Sequence, residues 1–223
     1  MTARRFVHEK TLELNLTAEI LSRVRQRKSF ANAYVIGMTQ ERESRNGVDS
    51  AIMGIRRLVG AIQFKAPHRP QFPRDYRFTL ERNQLQHLQR LERSFPGLVS
   101  YYLPRIATQD ELRLGSPTYL TVTNTLPVAG LPPGAHRVVC SVGSALVFSE
   151  PVEFQSESAA EELERWLDEA EAGVVTEQEG QAEDREALLS WLAGVDDERG
   201  RVAGQVLRGL AVYAIPRAGE PVQ

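Results

Sequence analysis

Two residues break the apolar run 58–65, LVGAIQFK: Gln63 and Lys65. In an extended strand, residues two apart share a face, so Ala61, Gln63 and Lys65 line one side and Ile62 and Phe64 the other. Burying an unpaired ammonium is costly, so Lys65 calls for a nearby anion. Asp49, at the start of the preceding run 48–55 (VDSAIMGI), is the natural candidate. If 48–55 and 58–65 form a hairpin or near-hairpin joined at Arg56–Arg57, the start of one strand lies beside the end of the other. An aspartate, a carboxamide oxygen, a backbone carbonyl and an ammonium then converge at one sheet edge.

This set suits a hard divalent cation. Mg²⁺ takes oxygen ligands, usually one or two carboxylates with waters and a substrate phosphate. Asp49 would be the metal carboxylate, and the Gln63 side-chain oxygen and the Phe64 carbonyl could complete the protein ligands. Lys65 would orient or help to deprotonate the attacking water and offset charge on a pentacovalent phosphate. The chemistry that uses such a set is metal-assisted phosphodiester hydrolysis. Glu43, in the preceding loop, is the nearest second carboxylate. Glu9 and Glu13, on a predicted first helix, could also reach inward.

Lysine usage sharpens the interest in Lys65. Of 27 basic residues only Lys10, Lys28 and Lys65 are lysine. Arginine serves wherever a positive charge suffices, so a retained lysine marks a place where a compact point charge on a flexible stem is wanted. The net charge of −2 also hides an asymmetry. Residues 1–155 carry 21 Lys and Arg against 13 Asp and Glu, a balance of +8, while residues 156–223 carry 6 against 16, a balance of −10. A basic body suits a polyanionic partner; the acidic part is either a solvated helical face or an intramolecular mask.

The elements that must position these residues follow from periodicity. Leu12, Leu16, Ile20 and Val24 recur every four residues and predict a helix over 9–28. Strands are expected at 31–38, 48–55, 58–65 and 98–103, with an extended loop at Pro67, Pro70 and Pro73. A helix over 82–94 turns Leu85, Leu88 and Leu91 inward, with Asn83 as its cap. From 117 to 154 the pattern is strand-like, and acidic helices are expected at 157–172 and 181–194, docked by Trp166 and Trp191. QVLRGLAVYAIP, near the end, reads as a strand or a short helix. One of Tyr101 and Tyr102 is expected in the core and the other at the surface. The reading is an α/β chain with a mixed central sheet flanked by helices, a β-rich extension and C-terminal acidic helices. It divides into a core over 1–115 and a continuation over 116–223, packed as one unit.

Several function classes are disfavoured. Neither Gly-rich phosphate loop nor G-x-S-x-G elbow occurs, and the four histidines lack metal spacing. No apolar run is long enough to span a membrane, and no secretory signal opens the chain. A single cysteine, Cys140, fits a reducing cytoplasm and reads as a small buried hydrophobe. Arg23, Arg25, Arg27 and Lys28 suit the negative end of the helix dipole.

Asp49, fourteen residues later Gln63-x-Lys65 on a strand, and the helix–strand–strand–strand–helix–strand order over 9–103 together resemble the PD-(D/E)XK nuclease superfamily. The pattern is similar to the Gln-x-Lys variant of Mrr-like restriction enzymes and antiphage nuclease modules. Val48 stands where that pattern often has proline, and Gln63 where it usually has an acid. The resemblance implies a restriction-endonuclease-like core and an Mg²⁺- or Mn²⁺-dependent nuclease, acting in antiphage defence or repair. It makes Asp49 a metal ligand, Gln63 a metal-site residue, Lys65 the catalytic lysine and Glu9 or Glu13 an auxiliary ligand. Gln84 falls where such enzymes often place a polar active-site residue. The implied partner is nucleic acid, DNA before RNA. Two alternatives stand beside this. One is a catalytically inactive module of the same fold that binds nucleic acid or a protein; the other is an interaction module docking a protein through its acidic helices.

Overall fold

The four-residue spacing of Leu12, Leu16, Ile20 and Val24 is realised in helix α1 (Glu9–Gln26), which buries all four. In the computed structural model the described residues are 6–31, 33–37, 50–53, 60–68, 76–94, 96–115, 118–148, 152–172 and 210–212. Glu43, Asp49, Pro70, Pro73, the expected helix at 181–194 and its Trp191 lie outside them.

After α1 come β1 (Tyr34–Gly37), β2 (Ser50–Met53), β3 (Gly60–Phe64), β4 (Tyr76–Leu80), α2 (Arg82–Ser94) and β5 (Val99–Pro104). Then follow α3 (Gln109–Gly115), β6 (Thr123–Pro127), β7 (His136–Ser141), β8 (Ser144–Val147), β9 (Val152–Gln155), α4 (Ala159–Glu171) and β10 (Leu210–Val212). The molecule is mixed α/β, with its described strands in two sheets. The larger has the order β1-β2-β10-β3-β5-β6, the smaller β4-β7-β8-β9. No helix among the described residues is long and apolar enough to cross a membrane.

The expected pairing of 48–55 with 58–65 is corrected. Strand β10 lies between them, parallel to β2 and antiparallel to β3, with Val212 opposite both Ile52 and Gly60. Strands β2 and β3 are therefore two spacings apart, on the order of 10 Å. Their directions remain opposed, as a hairpin would have made them. The physical reason is burial: all five β3 residues are buried, and an interior strand needs a neighbour on each edge. QVLRGLAVYAIP supplies one of those neighbours as a strand. On the other edge β3 runs parallel to β5, with Gln63 opposite Tyr101 and Phe64 opposite Tyr102. Parallel strands need a long crossover, and here it contains β4 and α2.

Strands from both sides of residue 115 share both sheets. Strands β6 and β10 complete the larger sheet, while β4 pairs with β7 in the smaller one. The two sheets are tied at Asn124 on β6, whose amide donates to the Ser141 and Ser144 carbonyls at the β7–β8 turn.

Helix α4 covers the Gly60, Ile62 and Phe64 side of β3. Its Trp166 is fully buried and stacks on Tyr102 at 6.3 Å between centroids. Tyr102 in turn meets Phe64 edge-on. Both Tyr101 and Tyr102 are fully buried, so neither is the expected surface aromatic. Both faces of β5 are covered, which leaves neither ring an outlet. Arg27, just past α1, pairs with Glu164, Asp168 and Glu171, joining α1 to α4. With six buried residues, α4 is part of the core rather than a displaceable mask.

Candidate metal and phosphodiester site

Gln63 and Lys65 lie past the last described pairing of β3 with β10. The described pairing of β10 with β3 stops at Ile62, so the next residues of β3 have no described strand on that edge. On the other edge the Lys65 N–H donates to the Tyr102 carbonyl at 3.1 Å. Backbone groups of successive residues alternate between edges, so Phe64 C=O and Ala66 N–H face the β10 side. Two side chains take them up. The Glu9 carboxylate accepts from Ala66 N–H at 3.1 Å. The Gln63 amide donates from Nε2 to the Phe64 carbonyl at 3.0 Å.

Three of the sequence-predicted groups therefore meet at one notch in the sheet: Glu9 from α1, the Gln63 carboxamide and the Phe64 carbonyl. Lys65 follows directly on the strand, half-buried, and pairs with no described carboxylate. Glu13, one helical turn beyond Glu9, is buried and held by Lys10, whose ammonium lies 2.9 and 3.0 Å from its two oxygens. Glu9 is thus the helix acid whose place the strand end fixes. Gln84 lies on α2 with 8% of its surface exposed. The expected cap role of Asn83 is corrected, because the helix already begins at Arg82 and its Leu85 N–H bonds to the Glu81 carbonyl.

The donor set tests whether a cation suits the notch. Gln63 is 1% exposed, and its Oε1 has no hydrogen-bond partner, an arrangement rare for a buried acceptor. A carboxylate, a carboxamide oxygen and a backbone carbonyl are all hard oxygen donors, so the set fits Mg²⁺ or Mn²⁺. Among the described residues, no three His, Cys, Asp or Glu side chains form a metal-binding group. The acid expected to complete the site, Asp49, lies outside those residues.

The reading of Cys140 as a small buried hydrophobe agrees with its place in the core. Cys140 is buried on β7, and desolvation pushes its thiol up to about 12, only partly offset by Arg105. His136 is bonded to the Pro132 carbonyl and His68 to the Thr79 hydroxyl.

A second polar cluster escaped sequence reasoning. On the α4 side of the sheet, Ser100 donates to Glu162 at 2.7 Å, and Glu162 is 1% exposed. Arg165 stands 3.7 Å from that carboxyl and also pairs with Glu157. Desolvation raises the Glu162 carboxyl to about 7. The signal was present in ESAAEELERWLDEAEA: Ala159, Glu162, Leu163 and Trp166 occupy one helical face, so a carboxylate had to enter the core with them.

No family model, curated protein or solved structure matches the chain.

Proposed function

We propose that the chain is an Mg²⁺- or Mn²⁺-dependent nuclease hydrolysing phosphodiester bonds, with DNA as the favoured substrate. The observation that carries this reading is the buried, unpartnered Gln63 oxygen beside the Phe64 carbonyl and the Glu9 carboxylate, with Lys65 next along the strand. A restriction-endonuclease-like core is the arrangement proposed for the larger sheet. In its favour are the first helix, the alternating directions of β1, β2 and β3, and the parallel step from β3 through α2 to β5. Strand β10 is an insertion into that plan.

Glu9, Gln63 and the Phe64 carbonyl would hold the cation, and Asp49 is the further carboxylate carried over from the resemblance. A divalent cation there supplies Lewis acidity and makes a bound water more acidic. Lys65 holds a fixed positive charge beside the attacked phosphorus, offsetting the charge that builds on its equatorial oxygens. Burial of Gln63 excludes bulk solvent, which strengthens each of these interactions.

The test is cleavage of plasmid and single-stranded DNA and of RNA with Mg²⁺ or Mn²⁺. Lys65→Ala and Asp49→Ala are each expected to lower the rate at least about 100-fold, as for loss of a group that stabilises the transition state. Equal activity in all three proteins would sink the site.

The second reading is an inactive module of the same fold that binds nucleic acid or a protein. In its favour, Glu9 is the one described carboxylate at the strand end, fewer than two-carboxylate chemistry prefers. Tight nucleic-acid binding without cleavage in either metal would select it.

A further inference from the structure

One face of the smaller sheet is open to solvent. Period two turns Phe78, Leu80, Val138, Cys140, Ala145 and Val147 into the core. The alternate residues point the other way, and of these Arg77, Thr79, Arg137 and Phe148 are exposed. Among the described residues, Phe148 is the one aromatic ring of the large apolar side chains left at the surface, at 55% exposure.

The strand register brings these residues together. Phe148 N–H donates to the Arg137 carbonyl at 2.9 Å, so the β7–β8 ladder continues past Val147 and sets Phe148 opposite Arg137. Arg137 in turn lies opposite Thr79 on β4. The Thr79 hydroxyl and the His68 ring bond at 2.7 Å, and His68 N–H donates to the Arg77 carbonyl. A row of His68, Thr79, Arg137 and Phe148 therefore crosses the sheet, with Arg77 beside it, opposite Val139. Neighbouring strands stand about 4.8 Å apart, so Thr79 to Phe148 spans about 10 Å. The one acid of this face among the described residues is Glu153, on β9 opposite Leu146, at the far edge from Arg77.

A guanidinium fork matches phosphate oxygens, and an exposed flat ring is a stacking platform for a base. A duplex keeps its bases stacked inside, so an unpaired strand is the ligand that offers both groups to a flat sheet. The face also adjoins the notch along the chain. His68 is three residues past Lys65, which is no more than about 11 Å of extended backbone.

We propose that this face binds single-stranded nucleic acid, with Arg137 and Arg77 on backbone phosphates and Phe148 stacked on a base. The inference deepens the nuclease reading by naming its substrate as an unpaired strand that passes from this face to the notch. That consequence rests on the nuclease reading; the binding does not.

The experiment titrates the full chain, in EDTA, into fluorescein-labelled oligothymidylate, oligouridylate and a DNA duplex of equal length, and follows anisotropy. Single strands are expected to bind more tightly than duplex. Phe148→Ala is expected to weaken that binding about fivefold or more, as for loss of one stacked base. Arg137→Gln is expected to weaken it and to lower the slope of log affinity against log salt by about 0.7, as for one lost phosphate contact. Should Phe148→Ala fail to fold, Phe148→Leu, which keeps apolar bulk and removes the ring, is judged by the same readout. Arg113→Gln, on α3 and on neither sheet, is expected to bind as the wild type does. An equal loss there would reveal diffuse attraction and overturn the site. Affinity for single strands no greater than for duplex overturns it too, as does affinity unaltered in Phe148→Ala and Arg137→Gln. Capture of polyglutamate in place of the oligonucleotides would give the face to an acidic protein segment instead. Because the titration contains no cation, a chain that binds single strands but does not cleave them keeps this face and loses the nuclease reading.

Discussion

A carboxyl group at Glu162 is enclosed by Ser100, Tyr102, Arg165 and Glu157, and burial outweighs the bonds from Ser100 and the pull of Arg165. Its proton is held more tightly in the folded chain (about 7) than at the ordinary value of 4.5. The folded state therefore carries more protons between those pH values, and stability falls as pH rises through that window. By about pH 7 the loss is nearly complete, roughly 3 kcal/mol at 1.36 kcal/mol per pH unit. Glu162→Gln keeps an acceptor for Ser100 and removes the charge. It is expected to melt several degrees above the wild type at pH 8, with the gap closing near pH 5. Calorimetry at the two pH values decides this, and a gap of equal size at both would count against it. At this scale the sequence was informative where a side chain's position follows from its own element. Period two separated Gln63 from Ile62 and Phe64, and the structure sets Gln63 beside Tyr101 in the β3–β5 register; Lys65 lies just past the strand. The bond from Glu9 to Ala66 spans 57 positions, and no local pattern encodes it.

Among the elements, β3 and α4 approach closely at Gly60. A Cβ added at Gly60 would overlap the six-membered ring of Trp166, and Trp166 also donates from Nε1 to the Gly97 carbonyl at 3.0 Å. Neither the ring nor the strand is free to retreat. Gly60→Ala is expected to destabilise by at least about 1–3 kcal/mol, as for overpacking in a closed core. Denaturant melts monitored by Trp fluorescence measure it, and a midpoint equal to wild type would refute the packing argument. The long elements were legible: α1 and α2 were expected within two residues of their observed ends. Helix α4 was sharpened by its capping box, in which Ser158 and Glu161 bond each other's backbone, so it starts at Ala159 and not at 157. Strand β4 and helix α3 were missed, being five and seven residues long, too short for a periodicity to declare itself. TYLTVTN was read as strand throughout, yet Tyr119–Val122 is a 3₁₀ turn. There the Thr121 hydroxyl bonds back to the Thr118 carbonyl, offsetting the β propensity of its neighbours.

For the whole molecule, the decisive feature is that β10 sits inside the larger sheet. Its pairings join Val212 to Ile52 and Gly60, contacts that no short-range signal specifies. A chain ending at residue 172 lacks that strand and leaves β2 and β3 with open edges and an exposed apolar face. The full chain is expected to unfold in one cooperative transition by circular dichroism, and the shortened chain to lose it. A sharp transition at an unchanged midpoint would show β10 to be dispensable. Part of the charge asymmetry is met inside the fold. Arg27 from the basic part meets three acids of α4, a contact within the fold rather than a surface held for another protein.

The place of β10 has a further consequence in time. A ribosome delivers residues 60–65 long before residue 212, and all of β4 to α4 is made in between. Throughout that interval Gly60, Ala61 and Ile62, which β10 later pairs, stand on a strand with one edge uncovered, a template for pairing with other chains. Proteins cut short by early termination would carry that open edge permanently. The strand that leads into the proposed site is thus the part of the nascent chain that most needs a chaperone's cover.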